Sequence, residues 1–167
     1  MSRSIGLGLV AVMVWGMPSS ASAQVELCRE AERFMVDDIG MVAVAEPDTI
    51  DDWRTKAMVP GCRVTAAGAT RRGPGAEATR FYERVREAGW IRTPEPRDAP
   101  NEASLRFRRD EVDCLFSFYT STSALNTDAE WEVNDAVVPG PGERRFNFLV
   151  MCTPAAPAAP RGDALGG

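Results

Sequence analysis

The sequence predicts a single α+β domain in which helices cover one face of an antiparallel sheet of about four strands. Two patterns predict this class. Apolar residues recur at helical spacing near the N-terminus and again over 78–88, whereas apolar and polar residues alternate in four other segments. In addition, four cysteines are available to join these elements as two disulfides.

The first half of the chain contains two predicted helices and one strand. Apolar residues at helical spacing predict a first helix over 25–36. The apolar run 39–45 fits either a strand or a helix end, because it is short and stops at a proline. After the Pro60-Gly61 turn, alternation over 62–67 predicts a strand.

The clearest helix lies between residues 76 and 88. Positions 78, 81, 85 and 88 are apolar and form one stripe, while charged residues occupy the other side. Gly89 is placed to end the helix in the left-handed conformation, and Trp90 to close the cap with an apolar contact.

A β-hairpin follows, and two patterns agree on its register. Segments 103–109 and 112–118 alternate, and a two-residue turn at Asp110-Glu111 sets Phe107 opposite Cys114. All the apolar side chains then share one face. On the other face the same register sets Arg108 opposite Asp113, a favourable pair.

The C-terminal part contains one more strand, over 145–152, with its phenylalanines on one face. Residues 121–138 are the least defined; the pattern suggests a short helix around 124–129 and a strand over 130–133. The domain is predicted to cover 24–153. Residues 154–167 are rich in proline, alanine and glycine, which predicts a disordered tail.

The strand registers rank the three ways of pairing the cysteines. Cys114 and Cys152 lie on the phenylalanine-bearing faces of their strands, and their ends meet if those strands are antiparallel. We therefore predict disulfides Cys114–Cys152 and Cys28–Cys62. No Cys-x-x-Cys motif is present, so both bonds are expected to be structural rather than redox-active.

Residues 1–23 have the pattern of a cleavable signal peptide. Arg3 precedes an apolar stretch that ends at the small residues 21–23. We therefore expect a periplasmic or extracellular protein, where disulfides persist. No membrane span is expected after signal removal, because no later stretch is long and apolar enough. The net charge of −5 becomes one unit more negative when Arg3 is removed, which disfavours nucleic acid as a partner.

The chain contains no histidine, which excludes Ser-His-Asp and Cys-His catalytic units and the usual zinc ligands. No nucleophile motif or metal-binding spacing stands out, and the sequence predicts no cofactor and no metal site. Asp128, Glu130 and Glu132 alternate, so on a strand their carboxylates would share one face. They are the best candidates for a hydrolase that uses a carboxylate pair or bound calcium.

The leading hypothesis is a non-catalytic binding module for another exported protein or an envelope component. Four residues are expected on the polar face of the hairpin and the last strand, where they would form an exposed apolar patch if nothing covers that face: Leu115, Tyr119, Leu149 and Met151. The alternatives are the exported hydrolase and an inhibitor of a secreted enzyme. The inhibitor would use the proline-rich segment 94–100 as its rigid loop.

Overall fold

The described part of the chain forms six antiparallel strands, four α-helices and one π-helical segment, Phe34–Ile39. This computed structural model describes residues 20–52, 54–93 and 104–156. The helices are α1 (Ser20–Glu26), α2 (Arg29–Arg33), α3 (Pro74–Glu87) and α4 (Asp128–Ala136). The strands are β1 (Val42–Asp52), β2 (Ala57–Thr70), β3 (Ile91–Arg92), β4 (Ser104–Arg109), β5 (Val112–Tyr119) and β6 (Arg144–Pro154).

One sheet contains all six strands, in the order β1-β2-β6-β5-β4-β3. The β4–β5 hairpin has the predicted register, with Phe107 opposite Cys114 and Arg108 opposite Asp113. Strand β6 lies antiparallel between β2 and β5 and joins the two hairpins. The α+β class and the antiparallel sheet are therefore confirmed.

The expected number of about four strands was too low. Strand β1 contains Glu46-Pro47-Asp48, which reads as a turn in the sequence. Proline is tolerated there because β1 is at the edge of the sheet, where one side of the strand has no partner. The other missing strand, β3, has two residues and too little sequence to show any periodicity.

The main core lies on the face of the sheet that carries the phenylalanines. From α3, Phe81 stacks on Phe148 with ring centroids 3.6 Å apart, and the Tyr82 hydroxyl donates a hydrogen bond to the Phe116 carbonyl. The predicted cap of α3 is present, since Gly89 has a φ of 90° and Trp90 is buried. Burial of these large aromatic groups is the main stabilising term of the fold.

The predicted N-terminal helix is divided. Helix α1 ends at Glu26, the chain turns at Leu27, and Cys28 precedes α2, which continues into the π-helical segment. This division lets α1 contact β1 and β2 while Cys28 lies in the core beside β2. The helical spacing of the apolar residues therefore predicted correctly that this segment is helical and partly buried, but it did not predict the break at Leu27.

Both predicted disulfides are present. Cys28 bonds Cys62 with the Cα atoms 5.9 Å apart, and Cys114 bonds Cys152 across paired positions of β5 and β6. The sulfur atoms of Cys28, Cys62 and Cys152 lie within 4.8 Å of one another, the spacing of metal ligands. Because disulfide sulfurs are not thiolates, this cluster is not a metal site.

Helices lie on both faces of the sheet, which corrects the expectation that they cover one. Thr65, Ala67 and Asn147 are fully buried on the face opposite the phenylalanines, and α4 contacts β2. Buried Ala129 and Val133 of α4 lie outside the phenylalanine core. The sequence could not show this because it favoured a strand over 130–133.

The chain ends lie partly outside the described residues. Of the predicted signal peptide, only 20–23 are described, and they form the start of α1. At the other end, β6 includes Pro154, and the backbone N–H of Ala156 donates to the Asp113 carboxylate. Ordered structure therefore extends three residues beyond 153. No helix in the described ranges has the length and apolar character needed to cross a membrane.

Candidate functional site

The four predicted binding residues lie close together on the face opposite the phenylalanines. Leu115 is paired with Met151, Leu149 lies two positions before Met151 in β6, and Tyr119 is paired with Asn147. Leu115 is only 2% exposed, and the other three are partly buried. The structure brings these residues together and covers part of the surface they would form.

Two elements cover this face. At one end lies α4, whose Glu130 is beside the Tyr119 hydroxyl; burial, and then the neighbouring carboxylate, raise the pKa of Tyr119. At the other end the β1–β2 turn brings Arg54 to Asp113. The apolar patch was predicted for an uncovered face, so these residues are a weaker candidate than the sequence suggests.

The three candidate carboxylates do not converge. They belong to α4, not to a strand, so Asp128 and Glu132 are exposed while Glu130 is fully buried. Glu130 accepts backbone N–H bonds from Ala124, Leu125 and Asn126 at 2.8–3.0 Å. Its carboxylate holds the loop before α4 in place, which is a structural role.

Substituting Glu130→Gln is expected to lower the free energy of unfolding by about 1.5–3 kcal/mol, the range for hydrogen bonds to a charged group. In the variant, an amide nitrogen would replace one carboxylate oxygen and could not accept the backbone N–H hydrogen bond that this oxygen accepts in the wild-type protein. Urea denaturation measures the change. The control Glu132→Gln alters an exposed residue of the same helix and is expected to have little effect. Equal stability of the two variants would contradict this role.

A buried charge network lies at the disulfide end of the sheet. Arg54 contacts Asp52 at 3.0 Å and Asp113 at 2.6 Å, and Arg108 contacts both oxygens of Asp113. Every carboxylate oxygen has a cationic partner, and Asp113 is completely buried. The network therefore joins β1, β4 and β5; its carboxylates are buried and fully paired, whereas the Arg108 side chain remains 36% exposed.

A cavity of about 460 Å³ lies at the opposite end, beside the first turn of α3; we call it the α3 cavity. Antiparallel pairing of β2 with β6 creates it, because Thr70 at the end of β2 lies opposite Arg144 at the start of β6. The turn before α3 and the turn before β6 form its walls through Pro74 and Pro139. Its volume lies within the usual range for small-molecule sites.

The inner surface of the α3 cavity is aromatic. Phe118 and Phe146 line it, with rings nearly parallel and centroids 6.2 Å apart. Phe146 is buried, whereas Phe118 packs against the core and remains partly exposed. Two exposed threonines, Thr120 and Thr122, also line the cavity. The cavity therefore combines an apolar floor with polar groups, as ligand sites do.

Three arginines line the cavity, and they differ in what they already bind. Arg145 donates twice to the Val137 carbonyl, and Arg72 lies 3.4 Å from the Glu77 carboxylate. Within the described residues, Arg144 is exposed and has no ion pair or hydrogen bond through its side chain. Arg144 can therefore bind a ligand at little loss of existing contacts.

The two carboxylates of the cavity are both engaged. Glu77 is 2% exposed, accepts a 2.7 Å hydrogen bond from Thr70 and lies 3.3 Å from Arg80. Glu143 accepts a bond from the Gly140 backbone N–H and faces Arg71 at 3.8 Å. Groups already satisfied in this way are poor general acids or bases, whereas the arrangement is well suited to binding.

Sequence reasoning missed the α3 cavity, although one signal for it exists. Two arginine pairs, 71–72 and 144–145, lie close to the Gly-Pro-Gly segments 73–75 and 140–142. Residues 140–142 lie in the turn before β6, whereas Pro74 and Gly75 begin α3. The meeting of the two arginine pairs depends on the pairing of β2 with β6, strands more than 70 residues apart in the chain. The alternation of apolar and polar residues indicates where each strand lies, but it does not indicate which strand it pairs with.

Comparison with known proteins provides no relative. No protein-family model, no curated protein and no solved structure matches this chain. Its function must therefore be inferred from the geometry of its own residues.

Proposed function

We propose that the protein is an exported binding protein without catalytic activity and that the α3 cavity is its ligand site. The observation that carries this proposal is the lining itself: two phenylalanines, two threonines and one uncommitted guanidinium, that of Arg144. A concave apolar surface with a few polar groups is the usual form of a small-molecule site.

The two disulfides support the exported location. They persist in oxidising compartments and are rare in the cytosol. Together with the predicted signal peptide, they favour the periplasm or the extracellular medium. An envelope component that enters the α3 cavity is one form of the predicted partner. Binding of another exported protein stays a prediction.

Of the two alternatives, the structure bears only on the hydrolase, and the inhibitor stays a prediction. The hydrolase hypothesis rests on Asp128, Glu130 and Glu132. The carboxylate of Glu130 is buried and accepts hydrogen bonds from backbone N–H groups. The inhibitor hypothesis used residues 94–100, which lie outside the described residues. Of the groups the structure describes, those of the α3 cavity fit a ligand best.

Blocking the α3 cavity is the direct test. A set of small anionic, neutral and cationic compounds is screened against the disulfide-intact mature protein by ¹H–¹⁵N NMR. We expect some of them to shift the amide signals of Phe118 and Phe146. The substitution Thr122→Trp places an indole in the lining of the cavity and is expected to weaken binding by tenfold or more.

The neighbouring substitution Ser123→Trp is the matched control, because Ser123 is exposed in the same loop and does not line the cavity. It is expected to change affinity by less than twofold. The proposal fails if no compound shifts the cavity signals, if the two variants bind alike, or if the wild-type protein converts a bound compound to product.

A further inference from the structure

We infer that the α3 cavity takes an organic anion, a ligand with an oxyanion head and a flat apolar body. This inference rests on the proposed function and specifies its ligand class. Three features carry it: the position of the free guanidinium, the excess of cations around the cavity, and the aromatic floor.

The oxyanion head is assigned to Arg144. A guanidinium offers paired N–H donors that match the two oxygens of a carboxylate or phosphate. In the described chain the Arg144 side chain has no acceptor, and it lies opposite Thr70 at the mouth of the cavity. Thr120 and Thr122 also line the cavity, and a threonine hydroxyl is able to donate to an oxyanion.

Among the described residues, arginines outnumber carboxylates around the cavity. Five guanidinium groups adjoin it or the carboxylates that line it, against two carboxylates, Glu77 and Glu143. The five are Arg71, Arg72, Arg80, Arg144 and Arg145. The chain as a whole has a net charge of −5, so this excess is a local feature. A positive concave surface attracts anions and repels cations.

The body of the ligand is assigned to the aromatic floor. Phe148 packs edge-on against Phe118 from the core side, with centroids 5.4 Å apart, so the remaining exposed surface of Phe118 lies in the cavity. An aromatic ring placed on it would gain stacking or edge contacts and remove apolar surface from water. A ligand that has the oxyanion head but no apolar body would lack this contribution to the binding free energy.

The test compares four probes that separate head from body: 2-naphthoate, 1-naphthyl phosphate, the neutral 2-naphthalenemethanol and inorganic phosphate. Affinities are measured by calorimetry at low and at high salt. We expect one or both naphthyl anions to bind at least tenfold more tightly than the neutral analogue and inorganic phosphate. The tighter of the two anions identifies the head. Their affinity is expected to fall with salt.

Arg144→Gln removes the charge of an exposed side chain and is expected to weaken the anions tenfold or more while leaving the neutral analogue unchanged. Arg33→Gln is the control, since Arg33 is 65% exposed and pairs with Glu30 near the opposite end of the sheet. Equal binding of anions and neutral analogue, or no effect of Arg144→Gln, overturns this inference and leaves the binding site in place. If the wild-type protein binds none of the four probes, or if Thr122→Trp leaves their binding unchanged, both proposals are overturned.

Discussion

Asp113→Ala is expected to lower the free energy of unfolding by about 3–5 kcal/mol, the range for removing one partner of a buried ion pair. Asp113 is completely buried and binds Arg54, Arg108 and the backbone N–H of Ala156. Without its carboxylate, Arg54, whose side chain is 11% exposed, would lose one of the two carboxylates that it binds within the described residues. Urea denaturation of the disulfide-intact protein measures the change.

Asp51→Ala is the matched control, because Asp51 is an exposed residue of β1, next to Asp52, and the same atoms are removed. Its effect is expected to be small. Asp113→Asn tests the charge separately, since it preserves the shape of the side chain. A loss below about 1 kcal/mol for Asp113→Ala, the value for surface pairs, would contradict the structural role of the network.

The same network predicts a dependence on pH. Burial would raise the pKa of Asp113, but hydrogen bonds from Arg108 and Arg54 outweigh it and hold the pKa below the ordinary value of 3.8. Burial would also raise the pKa of Asp52, but the hydrogen bonds and charge of Arg54 outweigh it and hold that pKa below its ordinary value. Because the folded-state pKa is depressed, the stabilisation is complete well above pH 3.8 and is lost as the pH falls through the folded value.

The stability difference between wild type and Asp113→Asn is therefore expected to shrink progressively below about pH 3.8. Denaturation curves recorded from pH 7 to pH 2 measure this difference. A difference that stays constant over the whole range would show that the Asp113 charge does not stabilise the fold.

Removing either disulfide is the second large effect. The closed loops span 34 and 38 residues, for which chain entropy predicts about 3.5–4 kcal/mol each. The appropriate variants are the doubles, Cys28→Ala with Cys62→Ala and Cys114→Ala with Cys152→Ala. A single substitution would leave a thiol close to the other disulfide, since three of the sulfurs lie within 4.8 Å, and exchange could form a new bond.

The two double variants are expected to differ in where they loosen the protein. Cys28–Cys62 ties the N-terminal helices to β2, so its loss should increase amide hydrogen exchange in α1 and α2. Cys114–Cys152 joins strands that are already paired, so its loss should lower global stability with no selective change in α2. Identical exchange patterns in both variants would contradict these separate roles.

The sequence predicted best the features that depend on neighbouring residues. The register of β4–β5 and the position of α3 follow from periodicities of two and 3.6 residues, which report which face is buried. The disulfide pairing followed from the faces on which Cys114 and Cys152 lie. A helix was expected around 124–129 and a strand over 130–133, whereas α4 covers Asp128–Ala136; the spacing of Thr127 and Glu130, which is that of a helix cap, was the signal for it.

By itself, the sequence determined the α+β class and the absence of histidine chemistry, because composition and local periodicity are properties of the chain; it ranked the cysteine pairings, and the structure confirmed the first of them. Only the tertiary structure decided that α4 covers the second face, that Asp113 meets Arg54, and that Arg144 lies opposite Thr70 at the α3 cavity. These contacts join residues far apart in sequence. They depend on which strands become neighbours, and no local pattern specifies that choice.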